Sequence, residues 1–353
     1  MDIRDIALRA KVSTATVSRT INRVPTVAPH LAKRVWKVIE EVGYYPDTQA
    51  RGLVSGRSRT FGLIVSEITN PFFPEIVQVL ENIAIEHDYE ILVSSTVHDP
   101  ERMKLSVRRM IERRVEGVAV MTFGMEEALL DDLKFRNIPL VFVDVGPHIP
   151  RISNIRVDYL HGLRQAVQHL AALRHTRIAF ISGPLMLKSA SARQHAFVQS
   201  MEEIGLPPER GLFVEGNHTL EGGMEAMERI LQFPKRPTAV VCSNDMTAIG
   251  VMKKCHEQGL HIPRDLSVVG FDDIRFSQFV IPSLTTVRMS QAEIARLAFN
   301  ALYSEVQRKT TSPDGTEYVL TTNLVLRDST AIAFHSEANA KGNEYSTARK
   351  GTT

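Results

Sequence analysis

Four short apolar runs recur between residues 61 and 144: FGLIV at 61–65, YEILVSS at 89–95, GVAVMT at 117–122 and PLVFVD at 139–144. Runs of this length, without strict alternation of polar and apolar groups, are the mark of strands covered on both faces. Between them lie helical patterns, the first carrying Ile76, Val79, Leu80 and Ile83 on one face. Strand and helix in regular alternation predict a parallel, doubly wound sheet. A second series begins near Asp158 with a helix bearing Leu163, Ala166, Val167 and Leu170, and continues through RIAFISG, LFVEG, TAVVCSND and LSVVGFDD, each followed by a helix or a loop. The α/β architecture is therefore used twice. Two such lobes in tandem put a cleft between the carboxyl ends of their strands, where the loops ITNPFF, VDVGP, SGPLMLKSASARQ, CSND and GFDD gather.

Upstream of this body the pattern is helical. Ile3, Ile6, Ala7 and Ala10 share a face, a break follows at Lys11 and Val12, and Ser13 is placed to cap a second helix. On that second helix Val17 and Ile21 point one way, and Thr14, Ala15, Ser18, Arg19 and Asn22 the other. A third helix, from about His30 to Val42, supplies Leu31, Val35, Trp36, Val38 and Ile39 to the backs of the first two. Two short helices at a tight turn, buttressed by a third, predict a helix-turn-helix head. Residues 46–60, PDTQARGLVSGRSRT, form a linker with a helix signal inside: Asp47 can cap it, Ala50, Leu53 and Val54 share a face, and Gly56 can stop it. So short a helix, with Gly52 inside, is unstable in water unless something packs on it.

Charge follows the same division. The 353 residues hold 42 Lys or Arg and 40 Asp or Glu, yet the basic excess is concentrated in the first 59 residues and the remainder is slightly acidic. A basic head on an acidic body predicts a polyanion partner for the head. The 43% apolar content excludes disordered and collagenous classes, and the length accommodates two or three domains. No export signal opens MDIRDIALRAKVSTA and no apolar stretch is long enough to span a bilayer, so the expectation is a cytoplasmic protein with no membrane partner. Cys242 and Cys255 are too few for a disulfide framework, and neither they nor the twelve histidines have metal-site spacing. No GxGxxG, GxxxxGK[ST] or GxSxG follows a predicted strand, so no cofactor, metal or catalytic residue is assigned and an enzyme is not expected.

Taken together, DIALRAKVSTATVSRTIN, GYYPDTQARGL, NPFF, ARQHAF, SND, VVGFDD and PSLTTV make the chain resemble the lactose-repressor/galactose-repressor (LacI/GalR) family of bacterial transcription regulators, from about Ile3 to Ala333. The resemblance implies a helix-turn-helix head over 1–46, a hinge helix and linker over 47–59, and a two-lobed periplasmic-binding-protein-like core. It assigns the first lobe to 60–158 with 288–318 and the second to 159–287 with 319–336, leaving 337–353 as a disordered tail. It also implies a homodimer on pseudo-palindromic double-stranded operator DNA, associated with the bacterial nucleoid. Rotation of one lobe on the other, controlled by a small effector, alters operator affinity, and repression is the expected output. The tail lacks leucine heptads, which favours a dimer over a tetramer.

Residue by residue, Thr14 and Ala15 match the positions that choose operator bases in this family. The Arg19 guanidinium suits bidentate contact with a guanine, and Ser13, Thr16, Ser18 and Asn22 are read as phosphate contacts. Ala50 and Leu53 match the hinge, where a leucine is wedged between operator base pairs. Effector contacts are carried over to Phe72, Phe73, Asp144, Arg193, His218, Asn244 and Asp272. Their mixed donors, acceptors and aromatic faces favour a polyol-like effector, a sugar or sugar derivative. Asp144, Asn244 and Asp272 have a second reading as loop ties or helix caps, and Phe73 a second reading as core. Asp158 and Asp245 are read as structural, and Asp273 has no assignment. The chain departs from the family pattern at Ala196, at His218, where a stacking aromatic is frequent, and in the apolar loop Leu185-Met186-Leu187.

Overall fold

The computed structural model describes residues 2–21, 24–44, 57–122, 125–144, 152–206, 209, 212–307 and 315–333. The chain divides into two compact units, 1–59 and 60–353. Asn22, Ala50 and Leu53, with most of the expected hinge helix and the tail, lie outside the described residues.

In the first unit, α1 (Ile3–Ala10) begins with a capping box. Asp2 accepts from the amides of Arg4 and Asp5, and the Asp5 carboxylate accepts from the amide of Asp2 in return. Lys11 ends the helix in the left-handed region at φ 49°. α2 (Thr14–Ile21) is capped by Ser13, whose hydroxyl accepts from the Thr16 amide at 3.1 Å. α3 (Pro29–Val42) completes a core of Ile6, Ala7, Ala10, Val17, Val35, Val38 and Ile39. Trp36, expected in that core, is 38% exposed instead. Val35, Val38 and Ile39 already form the buried stripe at helical spacing, and Trp36 stands 100° round the helix from Val35.

The second unit holds two six-stranded sheets. The first contains β1 (Thr60–Val65), β2 (Glu90–Ser95), β3 (Gly117–Met121), β4 (Leu140–Val143), β5 (Ile152–Asp158) and β11 (Glu317–Thr321), in the order β11-β5-β4-β3-β1-β2 and parallel throughout. Its faces are covered by α4 (Phe72–Glu86) and α11 (Gln291–Gln307) on one side, and by α5 (Pro100–Glu112) and α6 (Glu127–Phe135) on the other. The second sheet contains β6 (Ile178–Ser182), β7 (Phe213–Glu215), β8 (Ala239–Cys242), β9 (Ser267–Asp272), β10 (Thr285–Arg288) and β12 (Asn323–Val325), in the order β12-β10-β9-β8-β6-β7. Only β12 runs antiparallel to its neighbour, β10. Its helices are α7 (Tyr159–Ala172), α8 (Lys188–Glu203), α9 (Leu220–Leu231) and α10 (Asp245–Glu257).

The chain passes between lobes three times: from β5 to α7, from β10 to α11, and from β11 to β12. The expected change of lobe between 318 and 319 falls inside β11, which pairs with β5 along all five residues, so the passage lies at Thr322. One apolar cluster runs through both lobes and includes Phe72, Tyr159 and Phe271. This continuity brings residues from the first and second lobes together at the strand ends.

Candidate functional site

On the head, α2 presents Thr14, Ala15 and Arg19 to solvent, with Ser18 partly buried beside them. Its opposite side is fixed. Val17 is fully buried, and the buried Thr20 donates to the Thr16 carbonyl at 2.8 Å. Arg34 of α3 donates to the Lys11 carbonyl at 2.8 Å and so ties the turn to the third helix. Ser13 and Thr16 have hydroxyls 2.9 Å apart, with Ser13 already engaged as the cap. A rigid helix with a short-chained, basic outer face can enter a major groove without a bulky side chain blocking approach.

The body offers a second site at the strand ends, built around Arg193 in the second turn of α8. Its side chain is 9% exposed. The guanidinium lies 4.3 Å from the ring centre of Phe271 and 5.1 Å from that of Tyr159, donates to the Ser243 carbonyl, and stands 3.4 Å from Asp272 Oδ1. Burial works against its charge, but Asp272, Tyr159 and Asp144 together raise its pKa. Beneath the guanidinium, Tyr159 Oη donates to Asp144 Oδ2 at 2.5 Å. Burial raises the Asp144 pKa, opposed by that hydrogen bond and by Arg193. Asp272 is pushed up to about 7 by burial, with Arg193 pulling the other way.

His218, at φ 65°, enters from the loop before α9, and its ring lies over Gly183. Burial, then the charges of Arg193 and His98, lower its pKa to about 3, so the imidazole is neutral at physiological pH. Arg193 Nε, Asp272 Oδ1, His218 Nε2 and Ser243 Oγ are buried without a hydrogen-bond partner. Buried polar atoms are nearly always hydrogen-bonded, so four with unused hydrogen-bonding capacity in one place mark this spot out.

Among the expected contacts, Arg193, Asp272, Asp144 and His218 are brought together. The Asn244 amide is engaged at both ends: its Oδ1 accepts from Thr247 N at 2.9 Å as the cap of α10, and its Nδ2 donates to the His218 carbonyl at 3.0 Å. It acts on the cleft by holding His218. Phe72 is 8% exposed and belongs to the core cluster, whereas Phe73 is partly buried and packs on that cluster edge-on to Phe72. Of the two, Phe73 is the more open. Reading of the residues missed Tyr159, Phe271 and Ser243, which complete the Arg193 environment, and His98, whose charge acts on His218 from the other lobe. Ser243 and Phe271 adjoin expected residues in CSND and GFDD, the one signal available. Asp245, read as structural, is fully buried and accepts from Thr286 Oγ1 at 2.5 Å and Ile274 N at 2.8 Å.

No group of His, Cys, Asp and Glu among the described residues is arranged to hold a metal ion, and no described helix is long and apolar enough to cross a membrane. The cleft chemistry is that of recognition: a buried guanidinium between two rings, faced by two carboxylates.

Residues 2–47 match the family model for bacterial regulatory proteins of the lacI family, and residues 167–330 match a periplasmic binding protein-like domain. Over 308 residues the chain is 33% identical to the HTH-type transcriptional repressor PurR of Aliivibrio salmonicida (strain LFI1238), covering 87% of this chain and 92% of that protein. It is likewise 33% identical over 309 residues to catabolite control protein A of Priestia megaterium, covering 87% and 93%. The fold superposes on the lac repressor dimer bound to operator and the anti-inducer ONPF with a TM-score of 0.82 and 26% identity, covering 94% of this chain and 99% of that one. The transcriptional regulator CelR in complex with cellobiose superposes with a TM-score of 0.68 and 26% identity, covering 93% and 99%. With its head, its bilobal body and a relative of this identity aligned along most of both chains, the protein belongs to the lacI family of bacterial regulatory proteins, the DNA-binding regulators of transcription.

Proposed function

We propose that the protein is a repressor that binds a pseudo-palindromic operator as a homodimer, and that a small carbohydrate held between its lobes controls operator affinity. The observation that carries the effector reading is the set of unpartnered buried atoms around Arg193, namely its Nε, Asp272 Oδ1, His218 Nε2 and Ser243 Oγ, beside the aromatic rings of Phe271 and Tyr159. Closely spaced donors and acceptors next to an apolar face suit a ring bearing several hydroxyls. The CelR–cellobiose and lac repressor–ONPF complexes support a small-molecule ligand in this architecture. The dimer reading is supported by the lac repressor dimer and by Phe276, Phe279 and Ile281, which expose apolar side chains on one short segment. In the head, Thr14, Ala15 and Arg19 read bases, Ser18 and Asn22 meet phosphates, and Ala50 and Leu53 serve the hinge.

Ligand changes operator affinity only as far as it prefers one lobe arrangement, and a tenfold change needs about 1.4 kcal/mol of preference. The test has two arms on the full chain. Selection from a random duplex pool should return a pseudo-palindrome, and Arg19→Ala should relax preference at one symmetric pair of its positions; failure to enrich any duplex overturns the regulator reading at this head. Thermal shift against mono- and disaccharides, with purine and pyrimidine bases as the contrasting class, should yield a sugar hit. A nucleobase hit alone would reject the carbohydrate assignment and leave the cleft reading standing.

A further inference from the structure

β9 ends at Asp272, and the chain leaves the sheet through two successive residues of positive φ, Asp272 at 106° and Asp273 at 55°, neither of them glycine. Aspartate tolerates the second conformation, whereas φ 106° lies outside the small left-handed basin and persists only when surrounding contacts over-determine it. Those contacts come from Gln291 and the Met289 amide, which donate to the Asp272 carbonyl, and from the neighbouring Asp273. Its Oδ1 accepts from Arg327 Nη2 at 2.6 Å and Ser277 Oγ at 3.1 Å, and its Oδ2 accepts from Arg288 Nε at 2.6 Å. The carboxylate is only 7% exposed, so these charge-assisted bonds are shielded from water.

The positions of the two arginines give the clamp its meaning. Arg288 is the last residue of β10 and stands three positions before α11, where the chain passes to the first lobe. Arg327 stands two positions after β12, in the second lobe and five residues past the passage at Thr322. On the other side of the same turn, Gln291 in the first turn of α11 donates its amide to the Asp272 carbonyl at 3.0 Å. The Asp272 carboxylate meanwhile lies 3.4 Å from Arg193, among the residues gathered at the strand ends.

We propose that Asp273 is a positioning residue: clamped between Arg288 and Arg327, it sets the backbone of Asp272 and links the aim of the cleft carboxylate to the angle of two of the three passages between lobes. The inference rests on the cleft being the effector site. Lobe rotation bends the passages, the arginines carry that bend to Asp273, and Asp272 is presented differently in the two arrangements.

Hydrogen exchange on the full chain, with no small molecule added, tests it. Asp273→Asn keeps the shape and the tolerance for left-handed backbone but weakens both ion pairs. It should speed exchange at least tenfold in residues 272–277 and also in 286–292 and 323–328, with β6 and β8 unchanged. Arg288→Gln, at a side chain 52% exposed, removes one arm without threatening the fold and should speed the same three segments about threefold. Acceleration spread evenly over the second lobe, or confined to 272–277, would overturn the proposal. Because exchange needs no effector, failure to find a sugar hit and failure of this inference are separate results.

Discussion

Tyr159 donates its phenolic hydrogen to Asp144 Oδ2 at 2.5 Å, joining the first residue of α7 in the second lobe to the end of β4 in the first. The bond lies at one of the three places where the chain changes lobe, beneath the Arg193 guanidinium. Tyr159→Phe should leave the buried Asp144 carboxyl without its donor, raise its pKa further, and cost about 1–3 kcal/mol. Urea unfolding at neutral pH measures this. A loss under about 0.5 kcal/mol would mean that the hydrogen bond is replaced without cost.

Gly183 has room for no side chain, since a Cβ there would lie 2.0 Å from His218 Nε2. Gly183→Ala should therefore push the imidazole out of its place while leaving the head untouched. The expected outcome is at least a tenfold loss of affinity for the sugar hit, with operator binding in its absence unchanged within about threefold. Unaltered sugar affinity, read by titration calorimetry, would remove His218 from the cleft lining.

Two groups beside Arg193, the buried Asp272 and the partly buried His218, give stability opposite dependences on pH. Asp272 has its folded pKa raised to about 7, so its contribution is complete below about 4 and is lost as pH rises through 7. For full burial this amounts to no more than roughly 4 kcal/mol. His218 has its folded pKa lowered to about 3, so its contribution is present above about 6.5 and is lost as pH falls toward 3. Melting temperatures followed from pH 4 to 8 should accordingly flatten above pH 5 in Asp272→Asn and flatten below pH 6 in His218→Gln. Parallel curves for wild type and Asp272→Asn would show that Asp272 titrates as an ordinary surface carboxyl.

Gly223 in α9 and Gly250 in α10 let their helices approach closely: a Cβ on Gly223 would meet the Thr247 carbonyl oxygen at 2.2 Å, and one on Gly250 the Leu220 carbonyl oxygen at 2.1 Å. Helix propensity alone favours Gly223→Ala by about 1 kcal/mol. Backbone has nowhere to yield at this crossing, so overpacking should win, with a net loss of about 1–3 kcal/mol. Denaturant unfolding that showed a gain would mean that the helices can separate freely.

What the sequence by itself determined is the class of the molecule and most of its strands. Runs such as FGLIV and GVAVMT are apolar on both faces because helices cover both, and that demand is written locally. The head was legible for a similar reason, the cap at Ser13 being satisfied within three residues, whereas the capping box at Asp2 appears only in the structure. Strands β5, β10, β11 and β12 carry no such local signature, because they mix polar and apolar residues where the chain changes lobe or the sheet ends. The exposure of Trp36 is not legible locally, because hydrophobicity says nothing of which side of a filled stripe a residue occupies. The cleft was decided by the tertiary structure. Tyr159 meets Asp144 and Arg193, Asp272 comes within reach of Gln291, and Asp273 is held by Arg288 and Arg327 only once two sheets are joined by three crossings, and no spacing along the chain encodes such distances. Burial then does what sequence cannot: by removing water it moves Asp272 up to about 7 and His218 down to about 3, so that a carboxyl poised near neutral pH and an uncharged imidazole stand beside a buried guanidinium.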